Sequence, residues 1–262
     1  MLFMIGTGLN GEKSLTFEGL GYLKKCDYVF LDGYTSLFAG NLKDLDELIG
    51  KQVILADRKT VEVNANDILN RAKDSNAAFL VVGDVFSATT HTDLFLRAKE
   101  LGMEIKVINN ASVLTAVGIT GLSLYKFGKI ASIPFLTKDW QVDGPYDILK
   151  ENKKMHTLFL LDLKPDKSKF MQVSEAIEFL FTVEERRKEK VFTENTLCVG
   201  VAALGTADQE IKVGKAKDLI KYKFKAIPQS LIIPTELHFI EEEMLNLYKL
   251  WFIFFSCWIS YY

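Results

Sequence analysis

Five short stretches of this chain carry residues from which a ligand site could be built: Gly6-Thr7-Gly8-Leu9, Gly83-Asp84, Asn109-Asn110-Ala111-Ser112, Asp162 and Ala203-Leu204-Gly205. Glycine lets a ligand approach the backbone closely, and an Asp carboxylate accepts hydrogen bonds from hydroxyls or amines. Each stretch ends an apolar run that reads as a β-strand, and ligands of open α/β sheets sit beyond the carboxyl ends of the strands. Taken singly, each is also ordinary turn chemistry. Five together are a stronger signal of a small-molecule site.

The first loop carries a competing reading. Gly6-x-Gly8-x-x-Gly11 matches GxGxxG, and Asp32 lies about 20 residues on, where a dinucleotide fold places its ribose-binding acid. In that fold, however, the third glycine opens a helix whose N-terminus faces the pyrophosphate. Here Asn10-Gly11-Glu12-Lys13 reads as a turn, and the helix is expected only after Thr16. An NAD-dependent oxidoreductase is therefore the lesser alternative. His91, His156 and His238 have no partners at metal-ligand spacing and read as packed or capping residues. The chain lacks GxSxG, P-loop and HExxH motifs, and no metal site is expected.

The elements that must position these residues alternate along the chain. Strands are expected at 2–5, 28–31, 53–55, 78–82, 104–108, 130–133, 157–163, 196–202 and 230–233. Helices are expected at 17–25, 42–49, 66–73, 91–101, 113–122, 146–152, 174–188, 216–220 and 236–249. This is the α/β pattern. Thr16 reads as an N-cap, Thr90-x-x-Asp93 as a capping box, and Gly102 as a C′ residue. Five expected strands precede residues 110–125 and four follow, which suggests two α/β domains sharing a cleft, at 1–112 and 113–249.

Composition narrows the class. The 262 residues are 48% hydrophobic with a net charge of −2, which excludes a disordered chain and argues against a phosphate-tracking nucleic-acid binder. Three widely spaced cysteines without CxxC suggest a reduced, cytoplasmic setting. Met1 to Ile5 is apolar but lacks a basic n-region, so no secretion signal is expected. Residues 250–262 (LWFIFFSCWISYY) hold seven of the 31 aromatics. A helix of that length would reach roughly 20 Å, too short for a hydrocarbon core of about 30 Å. This tail has no assigned role and no membrane span is expected.

The segments MLFMIGTGLNGEKSLTFEGL, CDYVFLDGYTSL, FLVVGDVFSATTHTDLFLRAKELG, NASVLTAVGITGLSLYKFGK, MHTLFLLDLK, TENTLCVGVAALG and SLIIPTELHFIEEEML together resemble the diphthine synthase family. These are class III S-adenosylmethionine-dependent methyltransferases of the tetrapyrrole-methylase-like group. The resemblance runs from the first residue to about residue 247. ATTHTDL, AVGITGLxLYKFG and HTLxLLDLK specify the subfamily, whereas a GD loop fits any member of the superfamily. It implies two α/β domains with S-adenosylmethionine in the cleft between them, and a homodimer. Carried over by position, the cofactor contacts would be Leu9, Asp84, Ser87, Ser112, Val113, Leu161, Leu204 and Gln229. Two positions depart from the family pattern: Val85 stands where GDPF has Pro, and Gln229 where His is usual. These imply altered cofactor affinity and unaltered chemistry.

The resemblance further implies successive methylation of the amino group of the 3-amino-3-carboxypropyl-histidine of elongation factor 2, in diphthamide biosynthesis. Some members stop at the trimethylammonium and others add a methyl ester. A tetrapyrrole methyltransferase of the same fold is the alternative. Methyl transfer to an amine needs alignment and loss of one proton, so no triad is required. Asp84, His156 and Asp162 are candidates to assist, and Phe86, Tyr125 and Tyr34 could wall a trimethylammonium, although core packing accounts for those aromatics as well.

Overall fold

The computed structural model describes residues 1–58, 60–61, 65–136 and 142–250; the tail from 251 onward lies outside them. The strands are β1 (Leu2–Gly6), β2 (Tyr28–Asp32), β3 (Val53–Ala56), β4 (Ala77–Val81), β5 (Ile105–Ile108), β6 (Ala131–Ile133), β7 (Thr157–Leu161), β8 (Leu163–Lys164), β9 (Lys169–Phe170), β10 (Leu197–Ala202), β11 (Glu210–Lys215) and β12 (Gln229–Ile233). The α-helices are α1 (Phe17–Leu23), α2 (Leu42–Ile49), α3 (Ala65–Asp74), α4 (Thr92–Glu100), α5 (Val113–Ala116), α6 (Gly144–Glu151), α7 (Val173–Arg187), α8 (Ala216–Leu219) and α9 (Phe239–Asn246).

Two five-stranded sheets organise these elements. The first has the order β3-β2-β4-β1-β5 and is wholly parallel. Its inner strands must be apolar on both faces because helices cover both. β1 and β4 are buried at every position. Leu2 and Met4 pack with α3 and α4 on one face, and Phe3 and Ile5 with α1 and α2 on the other. The second sheet, β11-β10-β12-β7-β6, is mixed: β6 and β7 run parallel, and the remaining pairs are antiparallel. Phe159, Leu231 and Cys198 face α6, α7 and α8, while Leu158, Ile232 and Val199 face Val117, Leu122 and Leu245 of α9.

Several expectations shift. β11 lies where no element was expected; Ile211 and Val213 alternate with exposed or half-buried polar positions along it, the period of a half-buried strand. The strand expected at 157–163 stops at Leu161, because Asp162 turns its carboxylate back to accept from the N–H groups of Leu163 (2.9 Å) and Phe135 (2.9 Å). The helix expected at 113–122 is α5 followed by a 3₁₀ turn, Val117–Thr120. The last helix begins at Phe239, where His238 accepts from the Ile240 N–H (3.4 Å). The Thr90 capping box does not form: the N-cap is His91, without a side-chain cap bond. Thr16 does cap α1 through the Gly19 N–H (3.0 Å), and Gly102 takes a left-handed φ of +69° after α4.

Candidate functional site

Loops at facing ends of the two sheets enclose a cavity of about 390 Å³, within the roughly 300–1,000 Å³ of small-molecule sites. The parallel sheet contributes Leu9 after β1, residues 34–37 and Ala39 after β2, Gly83 and residues 87–89 after β4, and Ser112 and Val113 after β5. The mixed sheet contributes Pro134, Leu161, Asp162, Leu204 and residues 227–230. Because β12 runs antiparallel to β10, it is the start of β12, not its end, that faces the cavity.

Reciprocal backbone bonds stitch the β1 and β4 loops together: Gly8 N–H donates to Gly83 O (3.0 Å) and Gly83 N–H to Gly8 O (2.9 Å). Asn110 adds a third loop, donating from Nδ2 to Gly6 O (2.9 Å) and Ser14 O (2.9 Å). The Asp84 carboxylate accepts from the Asn110 N–H (2.8 Å), Asn109 Nδ2 (3.0 Å) and Ser87 Oγ (3.2 Å). Burial works to raise the Asp84 pKa, but these donors outweigh it and hold the carboxyl below its ordinary value. Across the cavity, Gly205 (φ +82°) lies so close to Leu9 that a Cβ there would sit 2.8 Å from the Leu9 Cβ.

Of the eight residues expected to contact the cofactor, seven line this cavity: Leu9, Ser87, Ser112, Val113, Leu161, Leu204 and Gln229. Asp84 sits beside Gly83 with its carboxylate committed to the loop bonds above, and is absent from the lining. Gln229 spends its amide internally: Oε1 accepts from the Val173 N–H (2.9 Å), and Nε2 donates to Gln172 Oε1 (2.7 Å) and Ala226 O (3.0 Å). Val85 is fully buried. Asn110 belongs to a stretch singled out at a strand end, whereas Arg58 and the loop after β2 are the parts of the site that strand-end reasoning underweighted. Their signal was positional, since Arg58 follows a strand of the same parallel sheet.

The other candidates separate. His156 is buried outside the cavity, accepting at Nδ1 from the Thr235 N–H (3.1 Å) with Nε2 3.2 Å from Glu241 Oε1. It ties the start of β7 to α9, the packed role read for it from the sequence, and lies away from the cavity in which an assisting group would act. Desolvation pushes its pKa down. Burial would raise the Glu241 carboxyl, but Lys126 Nζ (2.6 Å) and the N–H groups of His238 and Ser123 hold it well below the usual carboxylate range. Tyr34 lines the cavity. Phe86 packs edge-on against Phe95, and Tyr125 is 87% exposed; neither lines it.

The dinucleotide reading fails on geometry. Gly11 opens a 3₁₀ turn, Gly11–Ser14, and packs against the Gly40 backbone, where a Cβ would meet Gly40 Cα at 2.4 Å. Asp32 is fully buried and bound by the N–H groups of Tyr34 (3.1 Å) and Thr35 (3.2 Å), Thr35 Oγ1 and His91 Nε2 (3.0 Å). It is not presented to a ribose. Among the described residues, no three His, Cys, Asp or Glu side chains group to hold a metal, and no helix is long and apolar enough to cross a membrane.

Compared with known proteins, residues 1–220 match the family described as Tetrapyrrole (Corrin/Porphyrin) Methylases. By class the chain is therefore a methyltransferase with the two-sheet α/β fold of that family. It is 44% identical to an Arabidopsis thaliana protein named "Probable diphthine methyl ester synthase", over 95% of this chain and 98% of that one. It is 40% identical to the diphthine synthase of Methanococcus maripaludis, over 94% and 98%. A crystal structure of diphthine synthase superposes with a TM-score of 0.86 at 30% identity, covering 95% of this chain and 96% of the other. Within the tetrapyrrole methylases, the chain belongs to the diphthine synthase family.

Proposed function

We propose that the protein transfers methyl groups from S-adenosylmethionine to the amino group of the 3-amino-3-carboxypropyl-histidine of elongation factor 2, and that it does so in the cytoplasm. The observation that carries this reading is the cavity lined by loops of both sheets, in a chain of the diphthine synthase family. In this reading residues 1–112 and 113–249 act as two domains, and Leu9, Ser87, Ser112, Val113, Leu161, Leu204 and Gln229 hold the donor. Asp84 supports them by fixing the loop that carries Ser87 and the Asn109–Asn110 turn before Ser112. The cavity fits such a donor: backbone and small side chains at Gly83, Ser87, Ala88, Ser112 and Ala203 leave room for a flat, polar molecule, and Leu9, Val113, Leu161 and Leu204 give it apolar faces.

The donor supplies an electrophilic methyl carbon on a sulfonium. The acceptor amine must lose a proton before or during attack, and of the three assisting candidates Asp162 is the one lining the cavity. Its carboxylate already accepts two N–H bonds, and a carboxylate has roughly four acceptor positions, so it retains capacity to accept from an ammonium. The proposed assembly is a homodimer. Exposed Ile119 and Tyr125, with Phe239, Ile240 and Leu247 on and beside α9, support it as apolar surface for a second copy.

The test mixes the protein with methyl-labelled S-adenosylmethionine and elongation factor 2 bearing the aminocarboxypropyl-histidine, and follows label into the factor. Transfer at that side chain is expected. No transfer to the factor, with transfer to a precorrin-type acceptor, would replace this reading by a tetrapyrrole methyltransferase.

A further inference from the structure

The cavity wall divides into two parts. The proposed donor contacts all fall at the ends of β7 and β12 or on the loops after β1, β4, β5 and β10. None falls on the loops after β2 and β3, the two strands at one end of the parallel sheet, yet these loops supply Tyr34, Thr35 and Arg58 to the same cavity. Among the described lining residues only two side chains carry formal charge, Arg58 and Asp162. We propose that Arg58 recognises the carboxylate of the acceptor's aminocarboxypropyl group, which makes it a specificity-determining residue for the reaction; the assignment rests on the function proposed above.

Arg58 is placed at this part of the wall by its neighbours. It lies two residues beyond β3; beside it the Asp57 carboxylate accepts from the Thr60 N–H (2.7 Å) and Thr60 Oγ1 (2.6 Å), and Val61 is buried. Its guanidinium carbon lies 5.4 Å from the centroid of the Tyr34 ring, a cation–π arrangement that restricts where the fork can point. Tyr34 is itself fixed: Asp32 takes its N–H, and its hydroxyl lies 3.3 Å from Thr90 Oγ1. His91, buried against Asp32, ties this loop to the segment carrying Ser87. The fork of a guanidinium matches a carboxylate with two parallel hydrogen bonds, and a carboxamide cannot accept both.

The acceptor carries an amine and a carboxylate on one carbon. Holding the carboxylate at the β2–β3 end gives the amine a fixed direction relative to the donor end, which is what an in-line displacement needs. Asp162, on the opposite sheet, is then the charge of the right sign for the ammonium.

The experiment compares wild type with Arg58→Gln and Arg58→Lys. It measures KM and kcat for elongation factor 2 bearing the modified histidine, the S-adenosylmethionine Kd by calorimetry, and competitive inhibition by 2-amino-4-(imidazol-2-yl)butanoic acid and by its carboxamide. Wild type should prefer the acid over the amide by about 10-fold or more, the worth of one charge-assisted bidentate pair. Arg58→Gln should raise KM by a similar factor and bring the acid-to-amide ratio to about 1, leaving the donor Kd unchanged; Arg58→Lys should recover part of the ratio. A wild type that methylates the factor while Arg58→Gln keeps its KM and its ratio overturns the Arg58 assignment alone. A wild type that transfers nothing to the factor overturns the function on which the assignment rests.

Discussion

Gly205→Ala tests whether the contact between the two halves shapes the cavity. At φ +82° an L-residue costs about 1–2 kcal/mol. The new methyl carbon would also sit 2.8 Å from the Leu9 Cβ and 3.2 Å from its Cδ1, an overpacking that typically costs about 1–3 kcal/mol. Leu9 has little freedom to withdraw its backbone, since Gly8 is bridged to Gly83 and the Asn10 N–H donates to Ser14 Oγ (2.8 Å). The strain must move the Leu9 side chain or the Leu204–Gly205 loop, and both line or border the cavity. The expected loss of stability is about 2–5 kcal/mol by urea unfolding. The donor Kd should weaken about 10-fold or more, since each 1.4 kcal/mol is a factor of about 10. Gly21→Ala is the matched control: Gly21 lies inside α1 with nothing within 4 Å of a new Cβ, so it should gain about 0.5–1 kcal/mol and leave binding alone. A Gly205→Ala protein whose stability and donor affinity both match wild type would refute the reasoning.

Asp84→Ala should weaken donor binding in calorimetry by unfastening the Asn109–Asn110 turn and Ser87; unchanged affinity would remove Asp84 from the site. Gln229→Leu strands the buried Val173 N–H and should cost about 1–3 kcal/mol in urea unfolding. Glu241→Gln breaks a nearly buried ion pair and should cost about 3 kcal/mol, the low end for such losses because Lys126 is partly exposed. The pH profile of stability should carry two steps in the same direction. His156, lowered in the folded state from 6.5, contributes stability that is complete above pH 6.5 and falls as pH drops below it. Glu241, lowered from 4.5, contributes stability present above pH 4.5 and lost on further acidification. Urea midpoints from pH 8 to 3 check both; a His156→Gln variant that keeps the upper step would sink its assignment.

Much of the parallel half was legible because it obeys a simple rule: strands covered on both faces must be continuously apolar, and β1, β2 and β4 are bounded by Gly or Asp at the ends where ligands gather. The mixed half was harder to read. β11 does carry the alternation of a half-buried strand, but only Ile211 and Val213 mark it among charged residues and Gly214, too short a run to stand out until β10 pairs with it. The helix expected at 113–122 tightens after Ala116 into a 3₁₀ turn that is closed locally, by Thr120 Oγ1 donating to Val117 O (2.7 Å) and by Gly121 at φ +86°. Thr90 reads as a cap by type and spacing, yet His91 takes that place, its ring drawn to the buried Asp32 carboxylate.

The same contrast explains which site residues the sequence could show. In a parallel sheet every strand points the same way, so each carboxyl end faces the ligand and the residue after each strand is a candidate. In the mixed sheet β12 runs against its neighbours β10 and β7, and its amino end is brought to the cavity. Residues 227–230 therefore lie at the wrong end of their strand for a strand-end rule and at the right place in space. Gln229 was reached through family resemblance, whereas its neighbours Ile227 and Pro228 were not reached at all. What decides membership of the site is the sheet edge that a residue occupies, and for antiparallel strands that edge depends on pairing, which apolar periodicity alone does not encode.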